Sequence, residues 1–339
     1  PSLAKIRITG IARMKVLLNG GVAKRGMELL SKRFGDRLSL RQMSDETAAA
    51  DIIKDMAWAE VMISVNYDAA FAPAPNLQLL QIPASGLDAI ELASVPAQAA
   101  VCNVYEHEIA IAEYTFNGML EWVVGLARRN AAFKAGDWTG TPSLAGQTRG
   151  ELAGMTVGCL GYGNIGRAVA KRALAFDMKV MALTQNPRPL DPEPHFMGGY
   201  GDLGDILGKV DFLVICCPLT ETTRGMIGGA ELAQMRDSAV VINVARGHIA
   251  DEDALFAALS KGVIGGAILD TWYQYPSAED LAIRPSRHPY HELDNVLMTP
   301  HISGWSEGQQ LRRWAKTGDN IEALMTGRDL INLIRPARP

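Results

Sequence analysis

Gly161-Tyr162-Gly163-Asn164-Ile165-Gly166-Arg167 decides how this chain is read. Directly before it lies Met155-Thr156-Val157-Gly158-Cys159-Leu160, an apolar run of strand length. Directly after it, residues 167–176 place Ala168, Val169, Ala173 and Leu174 on one helical face. A strand, a glycine turn and a helix follow in unbroken succession, and each glycine has its own part in that context. Gly161 makes the tight turn, Gly163 lets a pyrophosphate approach the backbone, and Gly166 lets the helix pack close to the strand. The helix start, with Asn164 and Ile165 in its first turn, then offers unpaired N–H groups and partial positive charge to phosphate oxygens. The stretch predicts a dinucleotide site.

Outward from that turn, a chain of 339 residues is long for one core and fits two domains. Hydrophobic residues make up 48%, charged residues 21% and aromatics 6%, an ordinary globular composition. A net charge of −4 with no basic run argues against nucleic acid as a partner. No long uninterrupted apolar segment suggests a membrane span, and the first residues lack the apolar core of a signal peptide, so a cytoplasmic location is expected. Cys102, Cys159, Cys216 and Cys217 lack metal or redox spacing and read as buried, reduced thiols. No histidine pattern of metal-ligand type occurs, so no metal is expected, and His288 and His291 read as solvated or capping groups in a Pro-rich loop.

Strand and helix patterns alternate along the chain. After an extension over residues 1–13, strands are expected at 14–18, 38–40, 61–65 and 77–82, with helices at 22–34 and 48–57. Residues 106–134 read as one long helix, apolar over more than one face, that connects the domains and shares in a homodimer interface. A loop at 136–154 leads into the glycine-turn strand, and further strands are expected at 180–183, 212–216, 240–244, 267–269 and 296–298. A helix at 251–259 begins at Asp251 or Glu252, and a last helix at 306–325 returns the tail to the first domain. The expected fold is α/β: two doubly wound parallel-sheet domains, a flavodoxin-like substrate domain of residues 1–110 plus 306–339 and a Rossmann dinucleotide-binding domain of residues 111–305.

In such sheets ligands bind beyond the carboxyl ends of the strands, and three chemically apt residues fall there: Arg246, Asp270 and His301. With Gly161-Tyr-Gly-Asn-Ile-Gly166, Pro218-Leu-Thr220 with Thr223, Asn243-Val-Ala-Arg-Gly247, Leu269-Asp270 and Thr299-Pro-His-Ile-Ser-Gly304, the chain resembles the D-2-hydroxyacid dehydrogenase family over nearly its whole length. The resemblance implies that Arg246 holds a substrate carboxylate and polarises its carbonyl. It implies that His301 is the acid/base. Asp270 would face a nicotinamide carboxamide, Ser85 and Gly86 would cradle the substrate carboxylate, and Asn103 would lie near cofactor and substrate. Further cofactor contacts are implied at Thr184, Cys217, Pro218, Thr223, Val244, Ala245 and Gly304. Tyr105, Trp272, Tyr273 and Trp305 are candidates for a side-chain pocket or for packing.

Two positions depart from the family. Most members carry a Glu five residues after the Asp of the Leu-Asp motif, paired with the catalytic His; here that position is Tyr275, counted among the substrate-site residues. A phenol cannot supply a carboxylate's charge, so the upward push on the His301 pKa should be weaker, unless Glu279, Asp280, Glu292 or Asp294 reaches in. Formate dehydrogenases of the same superfamily carry Gln there, which keeps a formate-type reaction open, and a regulator with decayed catalysis is the third reading. The second departure follows the second strand of the nucleotide domain, where an NAD enzyme usually has Asp or Glu. This chain has Thr184-Gln-Asn-Pro-Arg188, which favours NADP over NAD. The expectation is an NAD(P)-dependent oxidoreductase acting on a small carboxylate, a 2-oxo or 2-hydroxy acid of glyoxylate or hydroxypyruvate type.

Overall fold

The computed structural model describes residues 13–338 apart from 22, 45–46, 147 and 278–279. The expected extension ahead of residue 13, the helix start at Val22 and the candidate acid Glu279 fall outside the described residues. Two compact units divide the chain: one runs to Glu106 and resumes at Glu307, the other is His107–Ser306.

The first unit begins β1 (Met14–Asn19), α1 (Ala23–Phe34), β2 (Leu38–Met43), α2 (Ala49–Trp58), β3 (Val61–Ile63), β4 (Leu79–Gln81) and β5 (Ala100–Cys102). The second holds α3 (Glu108–Val124), α4 (Leu126–Lys134), β6 (Thr156–Leu160), α5 (Asn164–Ala175), β7 (Lys179–Leu183), β8 (Phe196–Gly198), α6 (Leu203–Leu207) and β9 (Phe212–Ile215). It continues with α7 (Gly229–Leu232), β10 (Val240–Asn243), α8 (Glu252–Ser260), β11 (Gly266–Leu269) and β12 (Val296–Met298). Back in the first unit, α9 (Glu307–Thr326) and β13 (Leu333–Arg335) end the chain's regular structure.

The first unit's sheet has the order β13-β5-β4-β3-β1-β2, parallel except where β13 pairs antiparallel with β5. The tail thus returns to the first unit as expected. Arg335 fixes it there by donating to four carbonyls, those of Leu92, Val95, Pro96 and Ala99.

The second unit's sheet is wholly parallel, in the order β12-β11-β10-β9-β6-β7-β8. Strand order reverses between β6 and β9, so the crevice for a ligand opens where Gly161 ends one strand and Cys216 and Cys217 end the next. Successive residues of these strands face opposite layers: Phe212 and Val214 join one apolar cluster, Leu213 and Ile215 the other. Apolar side chains on both faces are what a sheet covered by helices on both sides requires, each stabilising by about 1.5–3 kcal/mol when fully buried.

The structure departs from the sequence pattern in several places. The long helix expected over residues 106–134 is two, because Gly125 adopts φ 62° and closes α3 with its N–H on the Glu121 carbonyl. β5, β8 and β13 are additions to the expected strands; each is three residues long, too short to show a period. Asp251 is the N-cap of α8, its carboxylate accepting from the Ala254 amide at 2.9 Å. His288 is partly exposed and is not a cap; its ring lies 2.6 Å from the Asp253 carboxylate and stacks on Phe256. All four cysteines are free, and Cys216 is only partly buried.

Candidate active site

The glycine turn has the shape its residues imply. Gly161 takes φ 108°, and a Cβ there would lie 2.6 Å from the Cys217 amide nitrogen. At Gly166 a Cβ would overlap the Gly161 carbonyl oxygen, whereas beside Gly163 there is open space within 4 Å. The turn is closed beneath and open above, the cradle a pyrophosphate needs. Helix α5 starts here with Gly163 as N-cap, no side-chain cap and no acidic residue in its first turn, so its N–H groups remain available to an anion. Cys216 Sγ donates to the Gly161 carbonyl at 3.0 Å and braces the turn from the neighbouring strand end. Across the switch point, Thr223 Oγ1 donates to the Pro218 carbonyl at 2.6 Å and fixes the turn after β9. After β7, Thr184 is half-buried and residues 185–189, including Arg188, are exposed with no carboxylate among them. These features fit a bound dinucleotide.

The strands on the other side of the switch point carry the chemistry. Beyond β10, the buried Asn243 accepts from the Ala245 amide and from Thr271 Oγ1, each at 3.1 Å, and donates to the Arg246 carbonyl at 3.0 Å. That side chain pins the turn through Val244 and Ala245 and presents Arg246, which is half-buried and donates from one guanidinium nitrogen to the Ala245 carbonyl at 2.7 Å. The next residue must be small, since a Cβ on Gly247 would meet the Trp272 backbone at 2.5 Å.

Beyond β11, Asp270 is fully buried and its carboxylate is occupied. It accepts from Thr299 Oγ1 at 2.6 Å and from the Ile302 and Ser303 amides at 2.8 Å each. Its role in the fold is therefore to hold the loop after β12. Thr299 is held in turn by Tyr114 Oη at 2.6 Å and by Trp272 Nε1, which donates to the Thr299 carbonyl at 2.8 Å. Tyr114 and this duty of Trp272 are not apparent in the sequence, because no spacing rule links a residue of α3 to one after β12. Trp272, expected as possible pocket lining, is thus used in packing. So is Tyr273, whose hydroxyl donates to the Ala250 carbonyl and whose ring meets His248 edge-on. Trp305 and Tyr105 are exposed.

At the apex of the held loop His301 sits in the left-handed region, φ 58°, a conformation that costs a non-glycine residue energy and persists only where surroundings impose it. Its Nδ1 lies 2.9 Å from Tyr275 Oη, which also accepts the Trp272 amide at 3.1 Å. Of the acids named as alternative partners, Asp280 is engaged with the Ala282 amide and Glu292 lies beside His291, so the phenol is the group found at the imidazole. Partial withdrawal from water lowers the His301 pKa; the Asp270 carboxylate opposes this and the Arg246 guanidinium reinforces it. The expected weakening of the upward push goes further, to a net downward shift. Burial raises the Tyr275 pKa, and Arg246 pulls the other way.

Arg246, Asp270, Tyr275 and His301 are therefore one electrostatic group at the carboxyl ends of adjacent strands. The family model of the D-isomer specific 2-hydroxyacid dehydrogenase NAD-binding domain matches residues 116–303, more than half of the chain. The chain belongs to this family. As a member it is an NAD(P)-dependent oxidoreductase of 2-hydroxy acids. Glycerate dehydrogenase of Methylorubrum extorquens is 34% identical over 265 residues, 75% of this chain and 78% of that protein. Hydroxypyruvate reductase of Thermotoga maritima is 32% identical over 310 residues, 89% of this chain and 95% of the relative. Among solved structures, a 2-hydroxyacid dehydrogenase from Ketogulonicigenium vulgare superposes with a TM-score of 0.81 at 23% identity, covering 97% of this chain and 100% of that one. A NADPH-dependent glyoxylate/hydroxypyruvate reductase from Sinorhizobium meliloti, in complex with NADP and malonate, gives a TM-score of 0.77 at 23% identity, with 97% and 99% covered.

In the first unit, Asn103 is buried and donates to the Ser85 carbonyl at 3.0 Å, tying it to the Ser85-Gly86 loop. Asn103 Oδ1 is buried without a hydrogen-bond partner, an unmet acceptor next to the loop the family resemblance assigned to the carboxylate. No helix among the described residues is long and apolar enough to cross a membrane.

Proposed function

We propose that this dehydrogenase reduces a small 2-oxo acid of the glyoxylate or hydroxypyruvate kind, with NADPH preferred over NADH. The observation that carries the proposal is the grouping of Arg246, Asp270, Tyr275 and His301 beside the dinucleotide crevice. Arg246 binds the substrate carboxylate and withdraws charge from its carbonyl, which suits a planar, permanently charged donor fork. His301 delivers the proton to the carbonyl oxygen. Asp270, buried and occupied by the loop after β12, serves the reaction by keeping His301 in place rather than by meeting the nicotinamide carboxamide directly. By family resemblance Ser85 and Gly86 offer backbone N–H groups to a carboxylate, and Asn103 holds their loop through the Ser85 carbonyl. The turn from Gly161 to Gly166 takes the pyrophosphate, Thr184 and Arg188 the ribose end, and Cys217, Pro218, Thr223, Val244, Ala245 and Gly304 line the rest of the dinucleotide. Bound there, the reduced nicotinamide supplies hydride; the protein supplies position, charge and the proton.

Absorbance at the nicotinamide band with glyoxylate, hydroxypyruvate, pyruvate and formate, each with both cofactors, tests the proposal. Turnover on a 2-oxo acid supports it; activity on formate alone replaces it with a formate-type reaction. Nucleotide binding without any turnover makes the chain a regulator. For the cofactor, Arg188→Ala is expected to raise the KM for NADPH roughly tenfold, one charge-assisted contact, and leave that for NADH unchanged. A preference for NADH in the unaltered enzyme overturns the NADP assignment.

A homodimer and a cytoplasmic location are part of the same proposal. Leu126, Phe133, Trp138 and Leu144 are each more than half exposed on α4 and the loop after it, apolar surface that association would cover. Sedimentation equilibrium tests the dimer, and a monomer at micromolar concentration ends it. The four free cysteines suit a reducing compartment, which cell fractionation checks.

A further inference from the structure

Tyr275 stands where most of the family has an acid, and its geometry does something a carboxylate cannot. A hydroxyl has one proton to give and two lone pairs to fill. The Trp272 amide, 3.1 Å away, donates to one lone pair of Tyr275 Oη, and His301 Nδ1 lies 2.9 Å from the same oxygen. With one lone pair taken by the Trp272 amide, a phenol proton directed at Nδ1 finds its acceptor there when the neutral His301 ring leaves that nitrogen unprotonated, the arrangement a proton relay through the ring requires. The imidazole proton is left on Nε2. A carboxylate in this position can only accept, so it selects the opposite arrangement, with the proton on Nδ1.

Taking His301 as the acid/base of the preceding reading, the geometry points to a two-proton relay in which Tyr275 refills His301 from behind. As hydride reaches the carbonyl carbon, the carbonyl oxygen takes the proton of Nε2–H, and the Tyr275 hydroxyl proton passes to Nδ1. One C–H and one O–H bond form on the substrate, and the two electrons come from the dihydronicotinamide. His301 stays neutral throughout, moving only from the Nε2–H to the Nδ1–H form. The tyrosinate left behind is held by the Trp272 amide and lies within reach of the Arg246 charge. After the product leaves, the tyrosinate takes its proton back from Nδ1 while solvent protonates Nε2, which restores both the phenol and the Nε2–H ring for the next turnover.

The surrounding charges agree with a histidine that works neutral. The groups whose fields reach the ring are Asp270, which favours the imidazolium, and Arg246, which opposes it, and with partial burial the net effect lowers its proton affinity. The same two groups act on Tyr275 with the opposite consequence for its proton, Arg246 promoting ionisation and Asp270 resisting it. Burial makes the phenol a weaker acid than usual, yet it remains a much stronger acid than the alcohol being formed, so the net transfer from Tyr275 to substrate runs downhill. Tyr275 touches the reaction only through His301 and is a positioning residue that also stores a proton.

Four proteins test this: wild type, Tyr275→Phe, Tyr275→Glu and His301→Asn. His301→Asn checks the underlying reading first, because full turnover in that variant would remove His301 as acid/base altogether. With that established, the relay gives wild type a reduction kcat/KM that stays level from about pH 7 to about pH 9, since the ring is neutral above its ordinary value and neither donor is lost in that interval. Tyr275→Phe is expected to lose about 10²-fold and to acquire a descending limb in the histidine range. Tyr275→Glu is expected to recover part of the activity with that limb displaced upward, as a carboxylate partner stabilises the imidazolium. Nitrogen-15 NMR of the His301 ring reads the tautomer without turnover: the unprotonated nitrogen should be Nδ1 in wild type. A protonated Nδ1 in the neutral wild-type ring, or a Tyr275→Phe profile of the same shape as wild type, overturns the relay and leaves the acid/base role of His301 standing.

Discussion

Gly161 and His301 both end or follow a strand of the same sheet, and both hold a positive φ, 108° and 58°. The first does so without strain, because glycine has no Cβ to clash, and the Cys216 thiol only braces a turn its residue type already allows. The second does so against its own preference, through the amides of Ile302 and Ser303 and the hydroxyl of Thr299 bound to the buried Asp270 carboxylate. One loop carries its shape in its residue type, the other receives it from a residue about thirty positions earlier in the chain. A phosphate cradle tolerates the first design because it needs only backbone. A proton donor requires a side chain, and its conformation must be imposed from outside.

The largest effect that separates the two loops should come from Gly161→Ala. The added Cβ meets the Cys217 backbone, which cannot yield as a flexible side chain would, so NADPH binding measured by fluorescence should fall below detection. Binding within a few-fold of wild type would show that the turn is less tightly closed than the contact implies.

Asp270→Asn probes the other loop. Its Oδ1 can still accept, but the new NH2 faces an amide donor, leaving a buried group unpaired at a cost of about 1–3 kcal/mol. The melting temperature should drop and kcat should fall by about 10²-fold, the range for disordered general-acid groups. If kcat is unchanged, Asp270 does not set the His301 geometry.

The smallest effect concerns pH and stability. His301 has its folded-state pKa lowered, chiefly by loss of hydration, so at intermediate pH the unfolded chain binds more protons at this site than the folded one. Its contribution to stability is then fully retained above the ordinary histidine value near pH 6.5 and shrinks as pH falls from there through the lowered folded value. Between pH 7.5 and 5.5, wild type should accordingly lose slightly more in melting temperature than His301→Asn does. Equal losses in the two proteins would mean that the ring is as well hydrated as in the unfolded chain.

Much of this protein was written in local sequence. The strand, turn and helix around Gly161, the apolar strands of the second sheet, the N-cap at Asp251 and the placement of Arg246, Asp270 and His301 at strand ends all follow from residue type and short-range spacing. Those are properties of a few consecutive residues, where sterics and periodicity act without help. What distant parts of the chain contribute became visible only in the folded structure. The three-residue strands β5, β8 and β13 exist because neighbours offer them a ladder, and the partition of the 106–134 helix at Gly125 was settled by a backbone conformation that the apolar pattern hid. The occupation of Asp270 by its loop and the meeting of Tyr275 with His301 were likewise decided in three dimensions. The sequence put a tyrosine in the acid's place; only folding determined that its hydroxyl would meet Nδ1 while the Trp272 amide filled its other side, because hydrogen bonds between remote residues depend on geometry that no local pattern encodes.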